Sequence, residues 1–160
     1  MPERLRSLEE RDWPAISSLE KSTYAGKGLS EDLTVLRSRA HPSTSFVLDV
    51  DGRVGGYLLA LPYPRWQVPD LLVPSAFGSG PDLHLHDLVI APEFRGLGWG
   101  RRLVDSAREF AHVSLVSVDG SEGFWAACGF RAHPEIDVPG YGKGAVYMSR
   151  DLHLPAMRSA

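Results

Sequence analysis

The sequence predicts a mixed α/β fold, a central sheet of about seven strands with four helices. Strand-length apolar runs alternate with amphipathic helical segments. They follow the order β-α-α-β-β-β-α-β-α-β-β, whose later strand–helix–strand units favour parallel pairing. With 160 residues, 43% of them hydrophobic, the chain can bury one core, and 1-160 reads as a single domain.

A short strand opens the chain at 5–8. Asp12-Trp13-Pro14 starts a helix, with Asp at the cap and Pro early in the first turn. Ile16, Leu19 and Thr23 recur there at helical spacing. Ser30-Glu31-Asp32-Leu33 opens a second helix, which His41-Pro42 stops. Strands at 45–50 and 53–61 are joined by Asp51-Gly52, a two-residue hairpin signal.

The stretch 61–81 holds five of the twelve prolines and the aromatics Tyr63, Trp66 and Phe77. It exceeds the usual length of a structureless loop and reads as a lid or binding loop. A strand at 82–90, a helix at 98–112 and a buried strand at 113–118 follow. Asp119-Gly-Ser-Glu122 has the form of a capping box for a short helix ending at Gly129. Strands at 130–132 and 145–150 complete the sheet, and 153–160 reads as a tail without a motif.

Composition excludes several function classes. The net charge is −3, with no long basic run, so neither nucleic acid nor an anionic membrane is an expected partner. No stretch approaches the roughly 18 apolar residues of a membrane span, and the charged N-terminus lacks a signal-peptide core. The one cysteine, Cys128, allows no internal disulfide, and no zinc-site spacing occurs. A cytoplasmic protein without a metal is expected.

The most informative segment runs from Leu85 to Gly100. In Arg95-Gly96-Leu97-Gly98-Trp99-Gly100, alternating glycines let a ligand approach the backbone and free amides to point at it. The helix behind carries Leu103, Val104, Ala107 and Phe110 on one face. Its N-terminus is therefore positioned to attract an anion. Arg101 and Arg102 oppose the helix dipole there, which makes sense beside phosphates. The G-x-G-x-x-G frame and a Gly-Lys-Ser/Thr sequence are both absent, so a dinucleotide or Walker site is not supported.

These residues resemble the GCN5-related N-acetyltransferase (GNAT) family. Arg95-Gly-Leu-Gly-Trp-Gly100 is similar to its R/Q-x-x-G-x-G/A acetyl-CoA motif. Gly123-Phe-Trp-Ala-Ala-Cys-Gly-Phe130 is similar to its F-Y-x-x-x-G-F motif, and 145–150 to its final strand. The resemblance implies strands 83–90 and 113–118 splayed apart with pantetheine of acetyl-CoA between them. Backbone groups of Leu88, Val89 and Ile90 would pair with pantetheine. Amides of Arg95, Gly96, Leu97, Gly98, Trp99 and Gly100 would hold the pyrophosphate, with Arg101 beside them. Trp125 would form a wall of the cleft.

Acetyl transfer to an amine needs a base, since an alkylamine is mostly ammonium at neutral pH. Strand alternation is expected to place His84 and His86 on one face with Leu88 and Ile90, and Asp87 on the other, paired with a neighbouring element. The His84-Leu-His-Asp-Leu88 segment resembles the His-Leu-His strand of the arylalkylamine N-acetyltransferase branch, which implies that His84 and His86 remove the amine's proton. Trp125 stands where many members carry a tyrosine acid. Tyr141 is then a substitute proton donor, with Cys128 a weaker one and water a third option.

The acceptor pocket is expected between residues 22–26 and the proline-rich loop, lined by Tyr24, Tyr63 and Trp66. Such aromatic walls suit a hydrophobic small-molecule amine, while Glu20, Glu31, Asp32 and Asp70 look too dispersed for a polyamine. Two other readings stay open: a noncatalytic acyl-CoA-binding module, and acetylation of a protein amine. Either a monomer or a homodimer is compatible with the sequence.

Overall fold

The computed structural model describes residues 2–76, 79–107, 109–118 and 120–151. The readings of Phe77, of Asp119 in a capping box and of the 153–160 tail lie outside those residues. Seven strands form one sheet: β1 (Glu3–Ser7), β2 (Phe46–Val50), β3 (Arg53–Pro62), β4 (Asp82–Ile90), β5 (His112–Ser117), β6 (Arg131–His133) and β7 (Val146–Asp151). Their order is β1-β2-β3-β4-β5-β7-β6. Among the described residues only β4 and β5 pair in parallel, and the other neighbours are antiparallel.

Four helices cover the two faces: α1 (Trp13–Tyr24), α2 (Leu33–Arg37), α3 (Trp99–Asp105) and α4 (Glu122–Ala127). On one face Trp13, Ile16 and Leu36 pack on Val47, Tyr57, Leu59 and Val89. On the other, Leu103, Val104 and Trp125 pack on Leu58, Leu83, Leu85, Leu115 and Met148. Both faces of the central strands are thus apolar, as β3 shows by being buried from Gly55 to Leu61.

Local chemistry accounts for the joins. Asp51 and Gly52 both take positive φ, 54° and 87°, the primed turn whose twist matches the flanking strands. Asp12 stands at the α1 cap position but makes no side-chain cap bond. Its carboxylate instead accepts from both Arg6 Nη atoms, at 2.9 and 2.8 Å, and from the Glu9 amide. A buried arginine nearby outcompetes the helix amides for that carboxylate. The helix expected over 98–112 ends at Asp105, and β5 already begins at His112.

The parallel β4–β5 ladder runs only from Asp82↔His112 to Leu85↔Leu115. Beyond it β4 keeps a strand neighbour on its β3 side alone, so the sheet opens there. Within β4, Leu85 faces Ala60 and Asp87 faces Leu59, leaving His86 as an extra residue without a β3 partner. This bulge reverses the side-chain alternation. Leu83 and Leu85 lie on the α3/α4 face with Leu88 and Ile90, although the positions of the two pairs differ by an odd number, which strict alternation would put on opposite faces.

Candidate active site

The bulge corrects the facing expected for the histidines. His84, His86 and Asp87 all project to the α1/α2 face, while Leu88 and Ile90 belong to the opposite one. Strict alternation fails because the unpaired residue rotates the strand between Leu85 and Asp87. Asp87 pairs with neighbouring elements as expected. Its two oxygens accept from Tyr24 on α1 and Tyr57 on β3, each at 2.7 Å.

A cavity of about 250 Å³ opens where β4 and β5 part. Leu88, Leu115, Phe124 and Trp125 line its α3/α4 side; Tyr24, Glu31, His86, Leu71 and Tyr141 line the other. Trp125 is buried and packs edge-on against Phe124 and Phe130, with ring centroids 5.0 and 5.6 Å away. An indole there supplies a wall.

The two histidines differ in environment. His84 is 1% exposed, and its Nδ1 lies 2.9 Å from Ser114 Oγ on β5. Burial above all, then the charges of His86 and Arg39, pushes its imidazole down to about 3, so it stays neutral near pH 7. His86 instead meets a carboxylate, with Nε2 2.6 Å from Glu31 Oε1. Burial raises Glu31, but the hydrogen bond from His86 and the charges of His86 and Arg39 outweigh it and hold Glu31 below the ordinary carboxylate range. Asp87 moves the other way. Burial pushes its carboxyl up to about 6 despite the Tyr24 and Tyr57 hydrogen bonds.

Glu31 and Arg39 were not singled out as site residues in the sequence, where the acidic side chains look scattered. Folding gathers three of them, since Glu20, Glu31 and Asp87 all line the cavity. Glu20 accepts from the Glu31 amide at 2.8 Å and from Ser30 Oγ at 2.7 Å, fixing the α1–α2 connection beneath His86. Arg39, fully buried, donates to Glu31 Oε2 through Nε and Nη2. The available signal was Ser30-Glu31-Asp32 beside a lone arginine just past the short helix.

The proline-rich segment is tied down at both ends. Tyr63 tilts over His84 at 5.8 Å, and Trp66 sits edge-on to His112 and His133, both at 5.1 Å. Neither lines the cavity, contrary to the expectation for the acceptor pocket; Tyr24 does. The reason is that the Trp66 amide donates to Tyr147 Oη and Arg65 pairs with Asp82, which draws this half across the β5–β7–β6 strands. The later half supplies Leu71 and turns toward α2, where Arg39 donates to the Asp70 carbonyl and to Ser75 Oγ. Tyr141 donates its hydroxyl to the Pro69 carbonyl at 2.7 Å, and burial raises its phenol above the ordinary value. Cys128 is buried, its thiol also raised by burial, and does not line this cavity.

The glycine-rich turn lies between β4 and α3. Gly96 and Gly98 adopt φ of 79° and 88°, a backbone that L side chains rarely take, and a Cβ at either would meet nothing within 4 Å. Leu97 between them is 63% exposed, and Trp99 is buried against Leu48 and Val50. At Gly100 a Cβ would lie 3.4 Å from Phe124, an ordinary contact between α3 and α4. The Arg95 amide closes onto the Pro92 carbonyl at 3.3 Å and its Nε onto the Ile90 carbonyl at 2.8 Å, so both are committed within the turn. Arg102 stacks on Trp99 at 4.3 Å, while Arg101 is exposed. An open strand edge past Leu85, a glycine turn with free space beside it and a cavity at the splay together fit an extended ligand with an anionic end.

A splayed parallel pair with a glycine-rich turn at its mouth defines the acetyltransferase class. Residues 3–130 match the family described as Acetyltransferase (GNAT) family, and the chain belongs to it. The family's enzymes use acetyl-CoA as cosubstrate. Among solved structures, N-acetylglutamate synthase from Neisseria gonorrhoeae, complexed with coenzyme A and N-acetyl-glutamate, aligns at 20% identity with a TM-score of 0.69; the match covers 96% of this chain and 36% of that one. The ribosomal-protein-S18-alanine N-acetyltransferase from Escherichia coli aligns at 15% identity over 99% of both chains, TM-score 0.70. Ard1 from Thermoplasma volcanium aligns at 15% identity over 96% of this chain and all of its own, TM-score 0.70. None of the curated proteins compared matches the chain. Among the described residues no helix is long and apolar enough to cross a membrane.

Proposed function

We propose that this protein transfers acetyl from acetyl-CoA directly to a small primary amine, with arylalkylamines the first class to test. The observation that carries this reading is the His86–Glu31 pair at a cavity formed by the β4–β5 splay. His86 serves as the general base that takes a proton from the acceptor's ammonium. His84 is held neutral by burial and supports the strand through Ser114. Tyr141 is committed to the Pro69 carbonyl, so the departing thiolate takes its proton from water.

Leu88, Val89 and Ile90 lie on the part of β4 that lacks a β5 neighbour, the edge to which pantetheine adds as a strand. The amides of Gly96 to Gly100, with Arg101 beside them, are assigned to the pyrophosphate. Tyr24 and Leu71 give the acceptor side an aromatic and an aliphatic wall. The segment 69–75, fastened to Arg39 and Tyr141, narrows that side, which favours a compact acceptor over a peptide. We read the chain as one cytoplasmic domain, active as a monomer or homodimer.

A second reading, acetylation of a protein amine, is favoured by the likeness to the S18-alanine enzyme. CoA release from acetyl-CoA, followed by thiol detection with arylalkylamines, polyamines, amino acids and N-terminal peptides across pH 6 to 9, separates the readings. Preferential turnover of arylalkylamines is expected; turnover of peptides alone would transfer the assignment to protein amines. His86→Ala is expected to lower kcat/KM by about 100-fold, the lower range of general-base contributions.

A further inference from the structure

Resting on the reading of His86 as the base, we propose that Glu31, clamped by Arg39, is the positioning residue that fixes the His86 tautomer and leaves Nδ1 to receive the acceptor's proton. Both side chains are buried, His86 at 3% exposure and Glu31 at 5%. Glu31 Oε1 faces His86 Nε2 at 2.6 Å, while Oε2 accepts from Arg39 Nε and Nη2 at 2.9 and 2.7 Å. An ionised carboxylate only accepts hydrogen bonds. Nε2 therefore carries the hydrogen, and in the neutral ring Nδ1 carries the lone pair.

An independent observation points to the same atom. Among the described residues His86 Nδ1 is buried without a hydrogen-bond partner, and His86 lines the cavity. Buried polar atoms are nearly always satisfied, so an exception asks for a water or a ligand that completes it. A single bridging water, within the reach of general-base catalysis, connects Nδ1 to an ammonium in the cavity. One N–H bond of the ammonium breaks and an Nδ1–H bond forms. The amine keeps the electron pair, which forms the C–N bond at the thioester carbonyl as the C–S bond breaks. The second amine proton passes through water to the departing thiolate, and the imidazolium, facing the Glu31 carboxylate, returns its proton to water.

Arg39 gives the arrangement its rigidity. Besides Glu31 it holds the Asp70 carbonyl at 2.8 Å and Ser75 Oγ at 2.6 Å. The same guanidinium therefore orients the carboxylate and closes the proline-rich segment over the acceptor side. Among the described residues the other titratable groups around His86 and its cavity are Glu20 and Tyr24 from α1, Lys27 just after it, Tyr57 from β3, His84 and Asp87 from β4, and Tyr141 from the segment before β7.

The test reads the tautomer without relying on turnover. Nitrogen-15 NMR of the histidine rings in the intact protein is expected to show His86 as a single neutral tautomer protonated at Nε2. A ring protonated at Nδ1, or an averaged mixture, would overturn the proposal. Glu31→Gln is expected to release that tautomer and to lower kcat/KM about 100-fold, with KM for acetyl-CoA unchanged. Glu31→Asp should recover part of the rate. In a His86→Ala background Glu31→Gln should cost nothing more, and additive losses would show that Glu31 acts elsewhere. A His86→Ala enzyme of full activity would sink the base reading itself, whereas an inactive His86→Ala enzyme with a mobile wild-type tautomer would sink only the role of Glu31. If Glu31→Gln does not fold, the wild-type spectrum still decides.

Discussion

At the scale of single residues, Gly98 and Tyr141 separate binding geometry from chemistry. Gly98 holds φ at 88° with open space where a Cβ would stand. Gly98→Ala therefore meets backbone strain without a clash, on the order of 1–2 kcal/mol for an L residue in the left-handed region. The expected outcome is a melting temperature lower by several degrees and a several-fold rise in KM for acetyl-CoA, with kcat nearly kept. Unchanged KM would remove the turn from the cofactor site. Tyr141→Phe deletes the donor to the buried Pro69 carbonyl, a loss of about 1–3 kcal/mol for an acceptor left unpaired. Its kcat should stay within about three-fold if water protonates the thiolate. A collapse of kcat with stability intact would reinstate Tyr141 as the acid.

At the scale of elements, the proline-rich connection is divided between two tasks. Its first half rests on the far strands through Trp66, which holds a φ of 70° unusual for a bulky residue and is kept there by Tyr147, His112 and His133. Trp66→Ala should lower stability by about 1 kcal/mol, since the ring is 44% exposed, and leave KM for the amine within about two-fold. A large KM change would return Trp66 to the acceptor pocket. The order of elements along the chain, the Asp51-Gly52 hairpin and the glycine-rich turn were legible in the sequence because each rests on a local rule of periodicity or turn chemistry. The facing of His84, His86 and Asp87 was not. One unpaired residue in β4 decides it, and a bulge leaves no mark on an alternating strand until its partner's register is known. Glu31 and Arg39 escaped for a similar reason, since eight residues and a helix separate two side chains that meet only when α2 docks.

At the scale of the whole molecule, two buried groups of opposite habit shape the response to acid. His84 is held down at about 3, against an ordinary value near 6.5, so between those limits the unfolded chain binds a proton that the folded one refuses. Stability from His84 is therefore present above about pH 6.5 and falls as pH drops, by about 1.4 kcal/mol per pH unit. Asp87 is raised to about 6, so from there down to the ordinary carboxyl value near 4 the folded chain binds a proton that the unfolded one lacks. Its contribution rises as pH drops through that window. Over roughly pH 6 to 4 the two slopes cancel. Below that range Asp87 gives no further compensation. Asp12, Asp49 and Glu31, whose carboxyls are lowered in the folded state, then lose their stabilisation together as they protonate. Unfolding free energies measured by denaturant titration should accordingly be nearly flat from pH 6 to 4 and fall steeply below. Asp87→Asn removes the compensating proton, so in that variant the decline should begin near pH 6.5 with the slope of one proton. A wild-type decline already of that slope between pH 6 and 5, or a variant as flat as the wild type, would show that the buried His84 and Asp87 do not offset one another.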